Sequence, residues 1–133
     1  MKTLQKAIQF FLADLGLHNH HVILTNGDDV IEWKNTTQPG AKHTEIVISL
    51  EGTNETNHGE CYQSSPYLVM INPELSLLKQ LIVLAHELKH VQEYVKTGET
   101  SEETAHKYDW RGAWLGLQWK LLTLQRYKQL VTA

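Results

Sequence analysis

The stretch VLAHELKHVQEY, residues 83–94, places two histidines, His86 and His90, four positions apart, with Glu87 directly after the first. Residues four apart on an α-helix lie about 40° from each other around the axis, so both imidazoles project side by side. Neutral imidazole nitrogens at this spacing can bind one Zn²⁺ at roughly 2.0–2.1 Å. Glu87 is turned by about 100° and can reach a metal-bound water instead. The motif therefore predicts two zinc ligands and a general base for metal-assisted hydrolysis.

The residues around the motif predict a long, buried helix. Leucine, isoleucine and valine recur at helical spacing over residues 75–95, on nearly every side of the first half. Asn72-Pro73 predicts the helix start, with Asn72 as the N-cap, and Gly98 predicts its end. A histidine inside such a helix needs a partner, because a buried polar group without one is costly, and a metal would supply it. The alternative is a pair of ordinary helix histidines that face water.

The chain before this helix predicts another helix and a small sheet. Apolar residues recur at helical spacing over residues 4–15, so an amphipathic helix is expected there. Asn26-Gly27-Asp28, between two β-rich runs, is a strong hairpin signal. HTEIVISLEG (residues 43–52) alternates as a half-buried strand does, and YLVMI (residues 67–71) predicts a further strand. Residues 52–65 are polar and are expected to be irregular.

A second long helix is expected towards the end of the sequence. Thr100 with Glu103 forms a capping-box pattern, and helical apolar spacing continues to about Leu130. The order of elements predicts an α+β fold with an N-terminal helix, a small three- or four-stranded mixed sheet, the buried histidine helix and a long C-terminal helix. We expect residues 1–133 to form one domain, because this length and 41% apolar residues suit a single core.

Composition narrows the classes of function. The net charge is −3 and no cluster of lysine and arginine stands out, so nucleic-acid binding is not expected. The apolar runs are too short to span a membrane, and the N-terminal residues lack a signal-peptide cleavage site. The single cysteine, Cys61, cannot form an internal disulfide. We therefore expect a cytoplasmic protein that binds neither nucleic acid nor a membrane.

The chain resembles the zincin metallopeptidases in two respects. HELKH (residues 86–90) is an HExxH motif, and the order of the predicted helices and strands is similar. The small single-domain, gluzincin-like members (the minigluzincin type) are the most similar in pattern, over about Tyr67 to Gly116. The resemblance implies that the histidine helix packs against a mixed sheet whose edge strand binds a peptide or protein substrate. That edge would be YLVMI (residues 67–71). It also implies that the following helix brings the third zinc ligand, usually a glutamate.

The third ligand is expected on the C-terminal helix, since a catalytic zinc takes three protein ligands and keeps one open position. The acids and histidines within reach are Glu93, Glu99, Glu102, Glu103, His106 and Asp109. One side of that helix carries mostly small residues, namely Ala105, Asp109, Gly112 and Gly116. Such a stripe would let the helix come close enough for a short aspartate. We therefore predict Asp109, with His106 and Glu103 as alternatives, unless Asp109 is an exposed acid paired with Arg111.

Two hypotheses of function follow. In the first, the protein is a zinc-dependent metallopeptidase in which Glu87 takes the proton of the attacking water. The candidates for stabilising the oxyanion are Tyr94, Tyr108 and Arg111. In the second, a zinc-stabilised binding module keeps the fold without turnover, because Cys61 or His106 closes the fourth position. Cys61 is otherwise a half-buried thiol. So short a chain also leaves room for a partner chain that completes the cleft.

Overall fold

The computed structural model of the chain describes residues 2–33, 45–51, 59–62 and 67–132. The elements in these residues are α1 (Lys2–Asp14), β1 (Val22–Thr25), β2 (Val30–Trp33), β3 (Ile46–Ser49), β4 (Gly59–Tyr62), β5 (Tyr67–Ile71), α2 (Leu77–Thr97) and α3 (Glu102–Thr132). They confirm the predicted α+β class, with an N-terminal helix, a small mixed sheet, the histidine helix and a long C-terminal helix. None of the helices in the described residues combines the length and apolarity needed to cross a membrane.

The five strands form one sheet in the order β2-β1-β3-β5-β4. β1, β3 and β5 run parallel, while β2 pairs antiparallel with β1 and β4 pairs antiparallel with β5. The hairpin predicted at residues 26–28 joins β1 to β2. Within the described residues this mixed sheet has five strands, one more than the upper end of the predicted three or four, because β4 lies within the segment expected to be irregular. Its four residues carry no apolar alternation, so pairing with β5 stabilises the strand. Residues 52–58 and 63–66 of that segment lie outside the described residues.

The YLVMI strand, β5, is not the edge of the sheet. It is paired on both sides, with β3 and with β4. β4 therefore occupies the edge position that the resemblance implied for β5. The prediction was wrong because nothing in the polar sequence before β5 indicates the strand that covers it.

One face of the sheet is buried together with α1 and α2. The strand residues on this face are fully buried: Val22, Leu24, Ile46, Ile48, Val69 and Ile71. They share one core with the apolar stripes of the two helices, which include Phe11 on α1 and Leu84 and Leu88 on α2. The alternate strand residues, such as Ile23 and Val47, are only partly buried. This alternation confirms the half-buried strand predicted in HTEIVISLEG.

α2 begins four residues later than an N-cap at Asn72 predicts. Its first residue is Leu77 and its N-cap is Ser76, whose hydroxyl accepts a hydrogen bond from the backbone N–H of Lys79 (3.4 Å). Asn72 forms a turn instead, because its side-chain oxygen accepts a hydrogen bond from the backbone N–H of Glu74 (3.0 Å). The predicted N-cap was therefore wrong, although the helix itself is present.

α3 is capped by Ser101 rather than by the predicted Thr100. The hydroxyl of Ser101 accepts a hydrogen bond from the backbone N–H of Thr104 (3.2 Å). The hydroxyl of Thr100 is engaged elsewhere, since it lies 2.7 Å from Nδ1 of His90 on α2. Glu102 is therefore the first residue of α3. Its carboxylate lies at the N-terminal end of the helix, where the helix dipole favours an anion.

α2 and α3 lie antiparallel against each other, joined by residues 98–101. Gly98 ends α2 in the left-handed conformation (φ 76°), which glycine adopts without steric cost. Further along, Gly112 lies directly against the backbone of Leu81 and Ile82, so closely that a Cβ there would overlap with it. The stripe of small residues thus allows the close helix contact that the sequence predicted.

α3 is also joined to the end of α1. The hydroxyl of Tyr108 donates a hydrogen bond to Oδ2 of Asp14 (2.5 Å), and Nε of Arg111 lies 3.9 Å from the same oxygen. The Tyr108 ring stands edge-on to Phe11, with 6.1 Å between ring centroids. Burial, together with the hydrogen bond to Asp14, raises the pKa of Tyr108 above its ordinary value of 10. The hydroxyl therefore stays protonated and donates its hydrogen bond at neutral pH.

Replacing Gly112 by alanine should destabilise the fold, because the new Cβ would meet the backbone of α2. Overpacking costs about 1–3 kcal/mol, and alanine recovers up to ~1 kcal/mol of helix propensity, so we expect a net loss of about 1–2 kcal/mol. Urea unfolding followed by circular dichroism measures this loss. Gln118→Ala, at an exposed position of the same helix, is the control and should change stability by less than about 0.5 kcal/mol. Equal stability of Gly112→Ala and wild type would contradict the close contact.

Candidate metal centre

His86 and His90 project from the side of α2 that faces α3, and their imidazoles meet through Nε2. The two Nε2 atoms are 3.2 Å apart, and the ring centroids are 4.8 Å apart. Their side chains are only 13% and 6% exposed. Burial lowers the pKa of His90 below its ordinary value, against the opposing effect of the Glu102 charge. His90 is therefore a neutral imidazole at neutral pH, which is the form that binds metals.

A carboxylate from the first residue of α3 joins this pair. One oxygen of Glu102 lies 3.1 Å from Nε2 of His86, and the other lies 3.0 Å from Nε2 of His90. The short turn after α2 brings the start of α3 opposite the histidines, which is why the first residue of the helix can reach both rings. His86, His90 and Glu102, which we call the metal group, thus bring ligand atoms close enough together to hold one metal ion.

The separations within this group fit a tetrahedral metal site. With bonds of roughly 2.0–2.1 Å, two ligands of a tetrahedral zinc ion lie about 3.3–3.4 Å apart. Nε2 of His86 and Nε2 of His90 are 3.2 Å apart, and each lies 3.0–3.1 Å from a different oxygen of Glu102. Two imidazoles and one glutamate are also a donor set that catalytic zinc sites use. The residues present therefore fit a metal ion such as zinc.

The predicted third ligand, Asp109, lies beside His86 but at the opposite edge of its ring. Oδ1 of Asp109 is 2.8 Å from Nδ1 of His86, whereas His90 and Glu102 meet the same ring at Nε2. The two nitrogens of an imidazole point in different directions, so Asp109 does not join the group formed by His86, His90 and Glu102. It belongs to a second group of converging ligand atoms, together with His86 and His106.

The two alternatives to Asp109 occupy different places. Glu103 is 81% exposed and pairs with Lys107 (3.4 Å). His106 lies closer, with its ring centroid 4.7 Å from that of His86. Its Nε2 is 3.8 Å from an oxygen of Glu102. His106 is therefore a neighbour of the metal group, whereas Glu103 points to Lys107.

Glu102 is the residue that the sequence pattern did not single out, although it is among the acids in reach. The signal that could have found it is its position three residues before Ala105, which extends the stripe of small residues by one turn. Ala105 is fully buried, so a residue at that spacing faces α2 as well. Glutamate is also one methylene longer than aspartate and reaches the histidines from the end of the helix.

Glu87, the predicted general base, lies on the side of α2 that faces the edge strand β4. Its side chain is buried. Gly59 of β4 packs so closely here that an added Cβ would lie 3.4 Å from Cγ of Glu87 and would overlap with Val83. The Glu87 charge also contributes, after burial, to raising the pKa of Cys61 and that of Tyr94. The carboxylate is therefore placed between the histidine pair and the edge of the sheet.

Cys61 belongs to neither group of converging ligand atoms in the part of the chain that the structure describes. It is partly buried on β4. Burial first, and the charge of Glu87 second, raise the pKa of its thiol to about 12. Without a metal beside it, the thiol is therefore protonated at neutral pH. These observations favour the interpretation of Cys61 as a half-buried thiol.

Of the three candidates for stabilising an oxyanion, Tyr94 lies on α2 itself, about one helical turn after His90. Tyr108 and Arg111 both turn towards the end of α1. Tyr94 is partly buried and stacks on Tyr67 with 6.5 Å between ring centroids. Burial, followed by the charges of Cys61 and two site carboxylates, raises the pKa of Tyr94, so its hydroxyl is a protonated donor at neutral pH.

Comparison with family models gives a match over residues 41–109, more than half of the chain. The model is that of a peptidase family, described as the IrrE N-terminal-like domain. The matched range contains the whole of α2 and the start of α3, and with them His86, Glu87, His90 and Glu102. Neither a search of curated proteins nor a search of solved structures finds a match.

Proposed function

The chain belongs to the family of IrrE N-terminal-like domains, a zincin-like family related to metallopeptidases, and from this premise we propose that it is a zinc-dependent metallopeptidase. The observation that carries the proposal is the convergence of the two Nε2 atoms of His86 and His90, 3.2 Å apart, on the carboxylate of Glu102, whose two oxygens lie 3.1 and 3.0 Å from them. Family membership and the geometry of the ligand atoms support the same activity independently.

In this proposal one zinc ion is held by His86, His90 and Glu102. Asp109 is not a ligand, because it meets His86 at Nδ1 and one ion cannot bind both edges of a single ring. Three protein ligands leave the fourth position for water, as a catalytic zinc requires. The side chain of Glu102 is 71% exposed, so solvent and substrate can approach the group from its side.

Zinc bound there would lower the pKa of its water towards 7 and polarise the carbonyl of the scissile bond. Glu87 follows the first ligand, is turned by about 100° from it around α2, and lies beside the edge strand. Its carboxylate takes the proton of the attacking water and passes it to the leaving amine nitrogen. The hydroxyl of Tyr94 is the candidate donor to the oxygen of the attacked carbonyl.

The position of β4 supports a peptide or protein substrate. β4 is the outermost strand of the sheet and packs against α2 beside Glu87. An edge strand offers backbone N–H and C=O groups with which an extended peptide can pair. A substrate bound along β4, rather than along β5, would pass next to Glu87. A cytoplasmic location, the lack of nucleic-acid and membrane binding, and a partner chain that completes the cleft all stay predictions.

A zinc-stabilised binding module without turnover is the second candidate. His106 supports it, because its Nε2 lies 3.8 Å from a Glu102 oxygen and a small side-chain rotation would bring a fourth ligand to the metal group. Four protein ligands close a zinc site and leave no position for water. Cys61 gives this candidate less support, because it lies in neither group of converging ligand atoms among the described residues.

Removal of the metal separates the two candidates. After treatment with a chelator we expect peptide hydrolysis to be lost while the circular dichroism spectrum stays unchanged, because the core of α1, α2 and the sheet does not involve the metal group. Addition of zinc should restore hydrolysis. Unfolding on chelation would instead support a structural metal.

Glu102→Gln should lower the affinity for zinc by more than about 100-fold, because it replaces a proposed ligand. Loss of a residue that only hydrogen-bonds to a ligand already lowers metal affinity about 10–100-fold. Competition with a chromophoric chelator measures the affinity. Glu103→Gln is the matched control, because it makes the same chemical change at the next residue, where the side chain is exposed and pairs with Lys107. Wild-type affinity in Glu102→Gln, or a wild type that binds no zinc, would refute the assignment.

Glu87→Gln should retain zinc and lose hydrolysis by roughly 10²–10⁴-fold in kcat, because the amide cannot accept the proton of the water. A library of quenched fluorescent peptides provides the activity assay, with metal content measured on the same samples. Glu103→Gln again serves as the control and should cleave like wild type. Normal turnover by Glu87→Gln would rule out its role as the base.

A further inference from the structure

The two histidines of the metal group are each contacted at the far side of the ring by an oxygen from residues that follow α2. Oδ1 of Asp109 lies 2.8 Å from Nδ1 of His86, and Oγ1 of Thr100 lies 2.7 Å from Nδ1 of His90. We propose that Asp109 is a positioning residue that selects the metal-binding tautomer of His86, and that Thr100 orients the ring of His90. This inference rests on the proposed function, because it concerns the same metal group.

The surroundings of His86 decide where its proton lies. A neutral imidazole carries one N–H, and a carboxylate can only accept a hydrogen bond. Two carboxylates compete for that proton: Asp109 at Nδ1 (2.8 Å) and Glu102 at Nε2 (3.1 Å). Asp109 is 29% exposed and Glu102 is 71% exposed, so the contact with Asp109 is both shorter and less screened by water. The proton therefore stays on Nδ1, and the lone pair of Nε2 is available to the metal.

Asp109 is itself held in place by His106. Its second oxygen, Oδ2, lies 3.1 Å from Nδ1 of His106, three residues earlier on α3. The carboxylate is thus fixed between two imidazoles and cannot rotate without losing one of them. His106 therefore acts on the metal group through Asp109 rather than by binding the ion.

The two positioning contacts are chemically unequal. His86 meets a charged acceptor, whereas His90 meets a neutral hydroxyl that can donate as well as accept. Hydrogen bonds to a charged acceptor are roughly twice as strong as neutral ones, and they raise the basicity of the ligand more. Asp109 should consequently contribute more to metal affinity than Thr100 does.

Nuclear magnetic resonance of the full chain, labelled with ¹⁵N in its histidines and freed of metal, locates the proton on His86. At about pH 8, above the ordinary histidine pKa, we expect Nδ1–H in wild type and a shift towards Nε2–H in Asp109→Ala. A merely structural role of Asp109 would leave the tautomer unchanged. A wild type with the proton on Nε2 of His86 overturns the inference, whether or not zinc binds.

Zinc titration of the same proteins gives the second readout. We expect Asp109→Ala to lower zinc affinity about 10–100-fold, Thr100→Val to lower it by a smaller factor, and Glu103→Gln to leave it unchanged. Asp109→Asn keeps the size of the side chain and one acceptor oxygen, so it replaces Asp109→Ala if that variant does not fold, and its loss should be intermediate. Unchanged affinity in both Asp109 variants overturns the inference.

Two further outcomes separate this inference from the proposed function. Complete loss of zinc in Asp109→Asn, with zinc retained in Glu102→Gln, would make Asp109 a ligand and would overturn its positioning role. A wild type that binds no zinc but carries Nδ1–H on His86, lost in Asp109→Ala, would refute the proposed function and support the selection of the tautomer.

Discussion

The close contact between α2 and α3 is the constraint on which the metal group depends. At Gly112 the two helix backbones approach until no Cβ fits between them. With a rise of about 1.5 Å per residue, Asp109 lies about 5 Å and Glu102 about 15 Å along α3 from this point. The same contact therefore sets which carboxylate stands opposite His86 and which stands opposite both histidines. Gly112, which has no side chain, thus sets the register in which the carboxylates of Asp109 and Glu102 meet the histidines.

The electrostatics of the two helices suit a site that is formed before any ion arrives. Glu102 lies in the first turn of α3, where the helix dipole stabilises a carboxylate, and burial favours neutral His90. Each ring is oriented by an oxygen at its Nδ1. The group thus combines a carboxylate at the end of a helix where the dipole favours an anion with a neutral imidazole, which is the form of histidine that binds metals.

Features that depend on neighbouring residues in the sequence were predicted well. The helix that carries His86 and His90, the hairpin and the half-buried strand follow from local periodicity and turn chemistry. β4 was missed because a partner strand, rather than its own pattern, stabilises it. The helix start at Asn72 and the cap at Thr100 were misplaced because both side chains have competing hydrogen-bond partners. The convergence of Glu102 with both histidines could not be predicted from the sequence, since it depends on the register of two helices in contact.

The three proposed ligands lie within residues 86–102, a span of 17 in a chain of 133. Each doubling of a loop's length raises the free-energy cost of closing it by only about 0.6 kcal/mol. Closing a loop of this span therefore costs roughly 2 kcal/mol less than closing a loop as long as the whole chain. An ion bound there restrains little of the unfolded chain beyond one helical hairpin. Because its contacts are local in sequence, that hairpin can close on the ion before the strands have paired. An ion bound by the proposed ligands would therefore restrain the α2–α3 hairpin directly and the pairing of the strands only through the shared core.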